Sequence, residues 1–259
     1  MQRGYGKMDI KIIVATHKEY WMPSDEMYVP LHVGKKGKAD LGYQGDDTGE
    51  NISEKNANYC ELTGLYWAWK NLKADYKGLA HYRRHFVMKR AKGTKEEKVL
   101  TKKQLEELLV KTDIVLPKPR NYFIETNYSQ YVHAHHAEDL DYTRQILEEK
   151  YPEYLKAYDD TMKSTIGHRF NMFIMKEELF DQYCAWMFDV LFTLEKRLDI
   201  SSYNAYDARV FGFVSERLLD IWLRTKHLSY VDIPVEFMEK QNWLIKGTNF
   251  LKRKIGIHV

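Results

Sequence analysis

A chain of 259 residues, 44% hydrophobic and 30% charged, suits a soluble globular protein with a sizeable core, as one large α/β domain or two small ones. A net charge of +3 supplies no global field for nucleic acid. With no signal-like apolar region near the N-terminus and no apolar run of about eighteen residues, neither export by that route nor a membrane span is expected.

Residues 9–15 (DIKIIVA) are a β-branched run that predicts a buried first strand, ending at the polar Thr16-His17-Lys18. Residues 22–50 are rich in Gly, Pro and Asp and read as one long loop; loops of that length are usually functional or mobile. A helix of about five turns is expected over residues 55–72, with Asn51 or Ser53 as cap and apolar residues all round; Glu61 inside it needs a partner if buried. Residues 77–82 predict a second strand. A lysine-rich surface stretch, a helix near residues 100–111 and a strand at 113–117 follow. The polar, aromatic loop PKPRNYFIETNYSQYVHAHH precedes helices over residues 139–150 and after Pro152. A fourth strand at 168–175, helices over 176–198 and 204–224, and a last strand at 228–233 complete the pattern. Strand–helix alternation of this kind argues for an α/β sheet. Cys60 and Cys184 fall in predicted helices without a CxxC pair and read as reduced core residues of a cytoplasmic protein. Nineteen tyrosines and six tryptophans lean towards a carbohydrate or nucleotide ligand.

The run His81-Tyr82-Arg83-Arg84-His85 ends the second strand with four His and Arg in five positions. Ligands of open α/β sheets bind beyond the carboxyl ends of strands, and arginine matches phosphate oxygens, so the run is a candidate anion site. A strand continued through it would send His81, Arg83 and His85 to one face and Tyr82 and Arg84 to the other; pairing of the arginines with carboxylates elsewhere is the plainer alternative. His133, His135 and His136, near Glu125, lack zinc-site spacing and suit hydrogen bonding to a hydroxyl-rich substrate better. Arg209, Glu216 and Asp220 share one helical face, either as an exposed salt-bridge ladder or with Glu216 as general base and Asp207 as second candidate. Asp46, Asp47 and Asn51 offer oxygen ligands to Mg²⁺, although DDTGEN is also an ordinary turn. No Walker A, GxGxxG, GxSxG or HExxH motif is present.

The segments IKIIVATHKEYWMP, GDDTGENISEKNANYCELTGLYWAWKN, GLAHYRRHF, DIVLPKPRNYFIET, GHRFNMFIMKEELFDQYCAWMFDVLFTLE and RVFGFVSERLLDIWL occur in that order. Together they resemble a family of bacterial capsular and exopolysaccharide glycosyltransferases once known only as a domain of unknown function. The resemblance implies a GT-A-like single domain over residues 1–245, a mixed central sheet flanked by helices with a Rossmann-like nucleotide-binding half; residues 246–259, with Lys246, Lys252, Arg253 and Lys254 among apolar residues, read as a basic amphipathic tail that rests on anionic lipid or is simply solvated. The resemblance places Thr16, His17 and Tyr20 beside the nucleobase, with Asn51, Lys55, His81, Tyr82 and Asn171 as further donor contacts. Glu125, His133, His168 and Arg209 are the expected acceptor contacts. VFGFVSE lies where relatives carry a catalytic carboxylate, which favours Glu216 over Asp207. Where relatives hold Mn²⁺ on an acidic motif this chain has His81-Tyr82-Arg83. Arg83 and Arg84 are therefore expected to neutralise the leaving group, and no cofactor is assigned, with Mn or Mg left open.

The expected function is transfer of a hexose, with a leaning to galactose or galactofuranose, from a UDP-sugar to a lipid-linked saccharide. The setting is the cytoplasm, with the tail resting on the inner face of the membrane, and nucleic acid is not an expected partner. A non-catalytic carbohydrate- or polyanion-binding module on the same fold is the alternative.

Overall fold

A computed structural model of the chain describes residues 8–239. Its first half runs β1 (Ile10–Thr16), β2 (Tyr28–His32), β3 (Gln44–Gly45), α1 (Asn56–Tyr59), α2 (Leu62–Asn71), β4 (Tyr76–His81), β5 (Arg84–Phe86), α3 (Lys102–Leu109) and β6 (Ile114–Pro117). Its second half runs β7 (Arg120–Asn121), α4 (Asn127–Val132), α5 (Ala137–Lys150), α6 (Leu155–Lys163), β8 (Ile166–Gly167), β9 (Phe173–Lys176), α7 (Glu177–Arg197), α8 (Val210–Thr225), β10 (Val231–Ile233) and β11 (Val235–Phe237).

The main sheet has the order β10-β6-β9-β4-β1-β2-β3, and β9 alone runs against its neighbours. β5 folds back from β4 and pairs with β11, while β7 and β8 form a separate ribbon. This is the expected α/β architecture, a mixed sheet between helices. Both faces of the sheet are covered, which is why β1 reads as a nearly continuous apolar run. Ile13 and Ala15 pack into the core built with α2, α7 and α8; Ile10, Ile12 and Val14 face the other way, towards Leu105 and Leu109 of α3. Lys77 of β4 is fully buried, with its ammonium 2.6 Å from Asp181 and over the Phe180 ring, so the start of α7 is pinned to the sheet by charge as well as packing.

Several expected elements are corrected. The single helix over 55–72 is two helices, broken where Cys60 takes φ 53°. Asn56 Nδ2 donates to Cys60 O at 2.7 Å and Asn58 Nδ2 to Ala208 O at 2.7 Å, tertiary and local bonds that a continuous helix would not allow. Neither Asn51 nor Ser53 caps it with a side chain; Asn51 instead closes an Asx turn onto Ser53 N–H. The supposed long loop contains β2 and β3, hidden in the sequence by Pro30. Pro30 sits opposite Val14, at a position β3 does not reach, where the missing N–H leaves no gap in a ladder. The aromatic loop after β7 contains α4, started by a Thr126 capping box with Ser129 at the third position. Strand structure expected from His168 begins only at Phe173, and the helix expected from Asn204 begins at Val210.

The segment between β8 and β9 is fixed by ionic bonds. His168 is buried between Asp220 of α8, whose carboxylate accepts from its Nδ1 at 2.5 Å, and Asp232 of β10, 3.0 Å from Nε2. Burial opposes charge on this imidazole, but the two aspartates outweigh it and raise its pKa. A raised folded-state pKa gives stability that is fully present below the ordinary histidine value of about 6.5 and is lost as pH rises through the folded value. Stability of the wild-type protein should therefore fall as pH rises above about 6.5, and urea unfolding of His168→Gln should lack that decline; equal slopes would contradict the charged assignment.

Candidate active site

The site is assembled around a turn between β8 and β9. Phe170 and Asn171 both have left-handed backbones, φ 80° and 53°. Such geometry is uncommon outside glycine, more tolerable for Asn, and strained for Phe. Five partners hold it. Phe170 N–H donates to Glu216 Oε1 of α8 at 3.0 Å, and Phe170 O lies 2.6 Å from His81 Nε2 at the end of β4. Asn171 Nδ2 donates to Glu61 at 2.7 Å and to Gly212 O at 3.1 Å, while its Oδ1 accepts from Ser215 Oγ at 2.9 Å. Burial, with the Arg84 charge beside it, pushes the His81 pKa down to about 3, so the ring is neutral and its Nε2–H is the donor to Phe170 O.

Against this turn opens a cleft of about 860 Å³. Ala15, His17, Val33, His81 and Tyr82 line it, so it lies just beyond the carboxyl ends of β1, β2 and β4. Its charged lining is Lys38, Arg83, Arg84, Arg120, Arg209 and Arg217 against the two carboxylates Glu61 and Glu216. Six cations facing two acids in a concave wall focus positive potential on whatever enters. Arg217 is buried over the Tyr131 ring, 2.8 Å from both Gln130 Oε1 and Phe213 O, and 3.3 Å from Glu216 Oε2. Arg84 lies with its guanidinium 4.5 Å above the Phe170 ring, and its buried Nε has no hydrogen-bond partner. Glu61 is partly exposed to the cleft, yet burial raises its carboxyl above the usual range. His135, stacked on Phe213 at 4.3 Å, and Tyr206 make an aromatic wall opposite.

Residues 11–227 match the family described as a domain of unknown function, DUF4422. The chain belongs to that family. Among solved structures it is similar to the WbbM bifunctional glycosyltransferase in its apo form, with a TM-score of 0.82 and 32% identity over 90% of this chain. The similarity spans 46% of that protein, somewhat less than half its length. No curated protein matches.

In this member of the DUF4422 family the cleft gathers eight of the residues singled out from sequence: His17, His81, Tyr82, Arg83, Arg84, His135, Arg209 and Glu216. Tyr20 stands behind them, edge-on to Tyr82 at 4.9 Å, and Asn171 lies beneath the floor. Thr16 is buried with its hydroxyl on Lys18 O. Others lie off the cleft lining. Asn51 is occupied in its turn, Lys55 pairs with Glu195 at 2.6 Å, and Glu125 with His133 at 2.5 Å. His168 serves the ionic cluster described above. Asp207 accepts from His135 Nδ1 at 3.0 Å and so holds a cleft residue without lining the cleft itself. The run His81–His85 is not one strand: Tyr82 and Arg83 form a turn, and His85 points into the opposite core, where burial lowers its pKa to about 4. Arg209, Glu216 and Asp220 form no ladder with one another; they reach Cys60, Phe170 and His168.

The slot where the resemblance implies a metal does not fit one. A hard divalent cation takes oxygen ligands, whereas this slot holds a neutral imidazole already bonded to Phe170 O, a phenol and an arginine. Among the described residues no group of three or more His, Cys, Asp or Glu could hold a metal. Asp46 is wholly buried and accepts from Gly34 N–H, Lys35 N–H, Ser53 Oγ and Thr63 Oγ1, which uses its carboxylate to fasten the 33–53 loop to α2. The basic tail expected over residues 246–259 lies outside the described residues, and no helix among those described is long and apolar enough to cross a membrane.

Sequence reasoning did not assign Glu61, Arg120 or Arg217 to the site. A carboxylate inside an apolar helix was the readable signal for Glu61; the arginines are brought in by folding alone. If the left-handed turn organises the cleft, Asn171→Ala should destabilise the protein by about 2–4 kcal/mol, through lost hydrogen bonds and a left-handed Cβ. Asn171→Gly should recover about 1 kcal/mol of that, the conformational part; chemical denaturation of the two variants separates them.

Proposed function

We propose that the chain is a nucleotide-sugar-dependent glycosyltransferase that moves a hexose from a UDP-sugar to a lipid-linked saccharide in one displacement. The observation that carries this reading is the cleft beyond β1, β2 and β4, with six cations around two carboxylates, in a fold shared with a bifunctional glycosyltransferase. A diphosphate is the anion such a lining suits, because guanidinium groups offer paired donors to its oxygens. The leaning to galactose or its furanose form as donor sugar rests on family resemblance.

Each cleft group then has a task. His17 and Tyr20, which meet the Tyr82 ring edge-on at 5.3 and 4.9 Å, border the space for the nucleobase. Arg84 faces the departing diphosphate from the floor. Arg83 adds charge from the rim, where it is 44% exposed and shared with Glu239 at 3.5 Å, so its contribution is the smaller. Glu216 takes the proton from the acceptor hydroxyl. A carboxylate offers about four lone-pair positions; Phe170 N–H and Arg217 take one on each oxygen, which orients the group and leaves capacity for the hydroxyl. His135, kept neutral by burial and braced by Asp207, belongs to the aromatic acceptor wall.

Thermal shift against a panel of nucleotide sugars, followed by UDP release in the presence of acceptor, tests the reading. Glu216→Gln should lower kcat by about 10²–10⁴-fold, the range for losing a general base, with donor affinity kept. Arg84→Ala should cost about 10²–10³-fold, as when one charge-stabilising donor is removed, and Arg83→Ala less. Nucleotide-sugar binding with no UDP release, indifferent to Glu216→Gln, would favour a carbohydrate- or polyanion-binding module.

A further inference from the structure

Next to the cleft, and sharing Arg84, Arg120 and Phe170 with it, is a groove of about 290 Å³ completed by Lys118, Pro234, Val235 and Phe237. Its floor is apolar, and its three charged side chains are all cations. Among the described residues none of the three has an ion-pair partner. Arg84 and Arg120 lie over the face of Phe170 and, for Arg84, Phe237, at 4.5–5.8 Å; Glu216 and Glu61 act on Arg84 without pairing with it, and the Arg84 Nε is buried without a hydrogen bond. Lys118 and Arg120 are exposed and Arg84 half-buried, so an anion entering the groove meets three cations beside an apolar floor.

We propose that this groove is a second anion subsite, which binds a phosphate or diphosphate esterified to an apolar chain and presents the attached sugar to the cleft. The inference rests on the glycosyltransferase reading for the word acceptor, but the binding chemistry stands apart from it. Charge complementarity assigns the phosphate to Lys118, Arg120 and Arg84. The surface of Phe170, Pro234, Val235 and Phe237 assigns the apolar part, which a nucleoside diphosphate sugar lacks. Arg84 stands between the two sites, so a phosphorylated acceptor and the donor diphosphate would lie on opposite sides of one guanidinium.

The test uses Lys118→Glu in the full chain, because Lys118 lines the groove and not the cleft; Arg84, Arg120 and Glu216 stay intact. By calorimetry, decyl phosphate and decyl diphosphate should bind the wild-type protein and lose about tenfold or more in affinity in the Lys118→Glu variant, while UDP affinity is unchanged. Decyl glucoside and inorganic phosphate should each bind at least tenfold more weakly than decyl phosphate. Inorganic phosphate binding as tightly as the ester would reduce the groove to a simple anion site, and unchanged decyl phosphate affinity in the Lys118→Glu variant would overturn the assignment. A parallel loss of UDP affinity would give the groove to the donor instead. In transfer assays the variant should raise KM for a phospholipid-linked saccharide and not for the same saccharide on a neutral alkyl chain. If no acceptor is glycosylated but calorimetry gives the expected pattern, the transferase reading fails and the subsite survives.

Discussion

The turn at Phe170 and Asn171 is the constraint on which the cleft depends. Two consecutive non-glycine residues in left-handed conformation cost free energy locally, of the order of 1–2 kcal/mol each, and persist only where the surroundings hold them. Here the holders are the end of β4 through His81, the start of α2 through Glu61, and α8 through Glu216, Gly212 and Ser215. The bonds run both ways. The strained turn fixes the orientation of two carboxylates and an imidazole from three distant parts of the chain, and those groups hold the turn. Cys60, also at positive φ and adjoining Glu61, is the matching irregularity across the cleft, and Arg209 Nε reaches its sulfur at 3.1 Å.

Electrostatics in the cleft follow from this frame. His81 is stripped of charge by burial beside Arg84, so positive charge is concentrated on guanidinium groups, which do not titrate in the working range of proteins. Glu61 and Glu216 offset part of it. What is left is a surplus of cations in a concave and partly dry space, a state that an anionic ligand relieves. The same surplus continues past Arg84 into the adjoining groove, where the floor is apolar and no acid is present. Two arginines, Arg84 and Arg120, therefore belong to both compartments.

Supporting structure keeps the cleft walls in place from outside. Buried Asp46 gathers two backbone N–H groups and two hydroxyls and so locks the 33–53 loop against α2. Asp139 receives the hydroxyls of Tyr131 and Tyr203 behind the aromatic wall. In sequence these carboxylates look like any turn or helix-surface acid. Asp46 stands in a DDTGEN turn that also suits a cation, and only its donors in three dimensions show that its oxygens are already used.

The sequence by itself determined the sheet strands with β-branched or apolar runs, β1, β4, β6 and β9, and the long helices α7 and α8, because burial on both faces or on a wide stripe leaves a periodic apolar record. It also marked His81 to Arg84 as chemically out of place, while Glu216 was set apart from an ordinary helix-face acid only by the family resemblance. Tertiary structure alone decided the rest. β2 escaped notice because its proline is tolerated only where the neighbouring strand stops short. The break at Cys60 and the turn at Phe170–Asn171 run against local propensity and exist because bonds from remote residues outweigh it. Arg120 and Arg217 carry no local signal at all, since a cation's role depends on which anion, ring or empty space folding sets beside it.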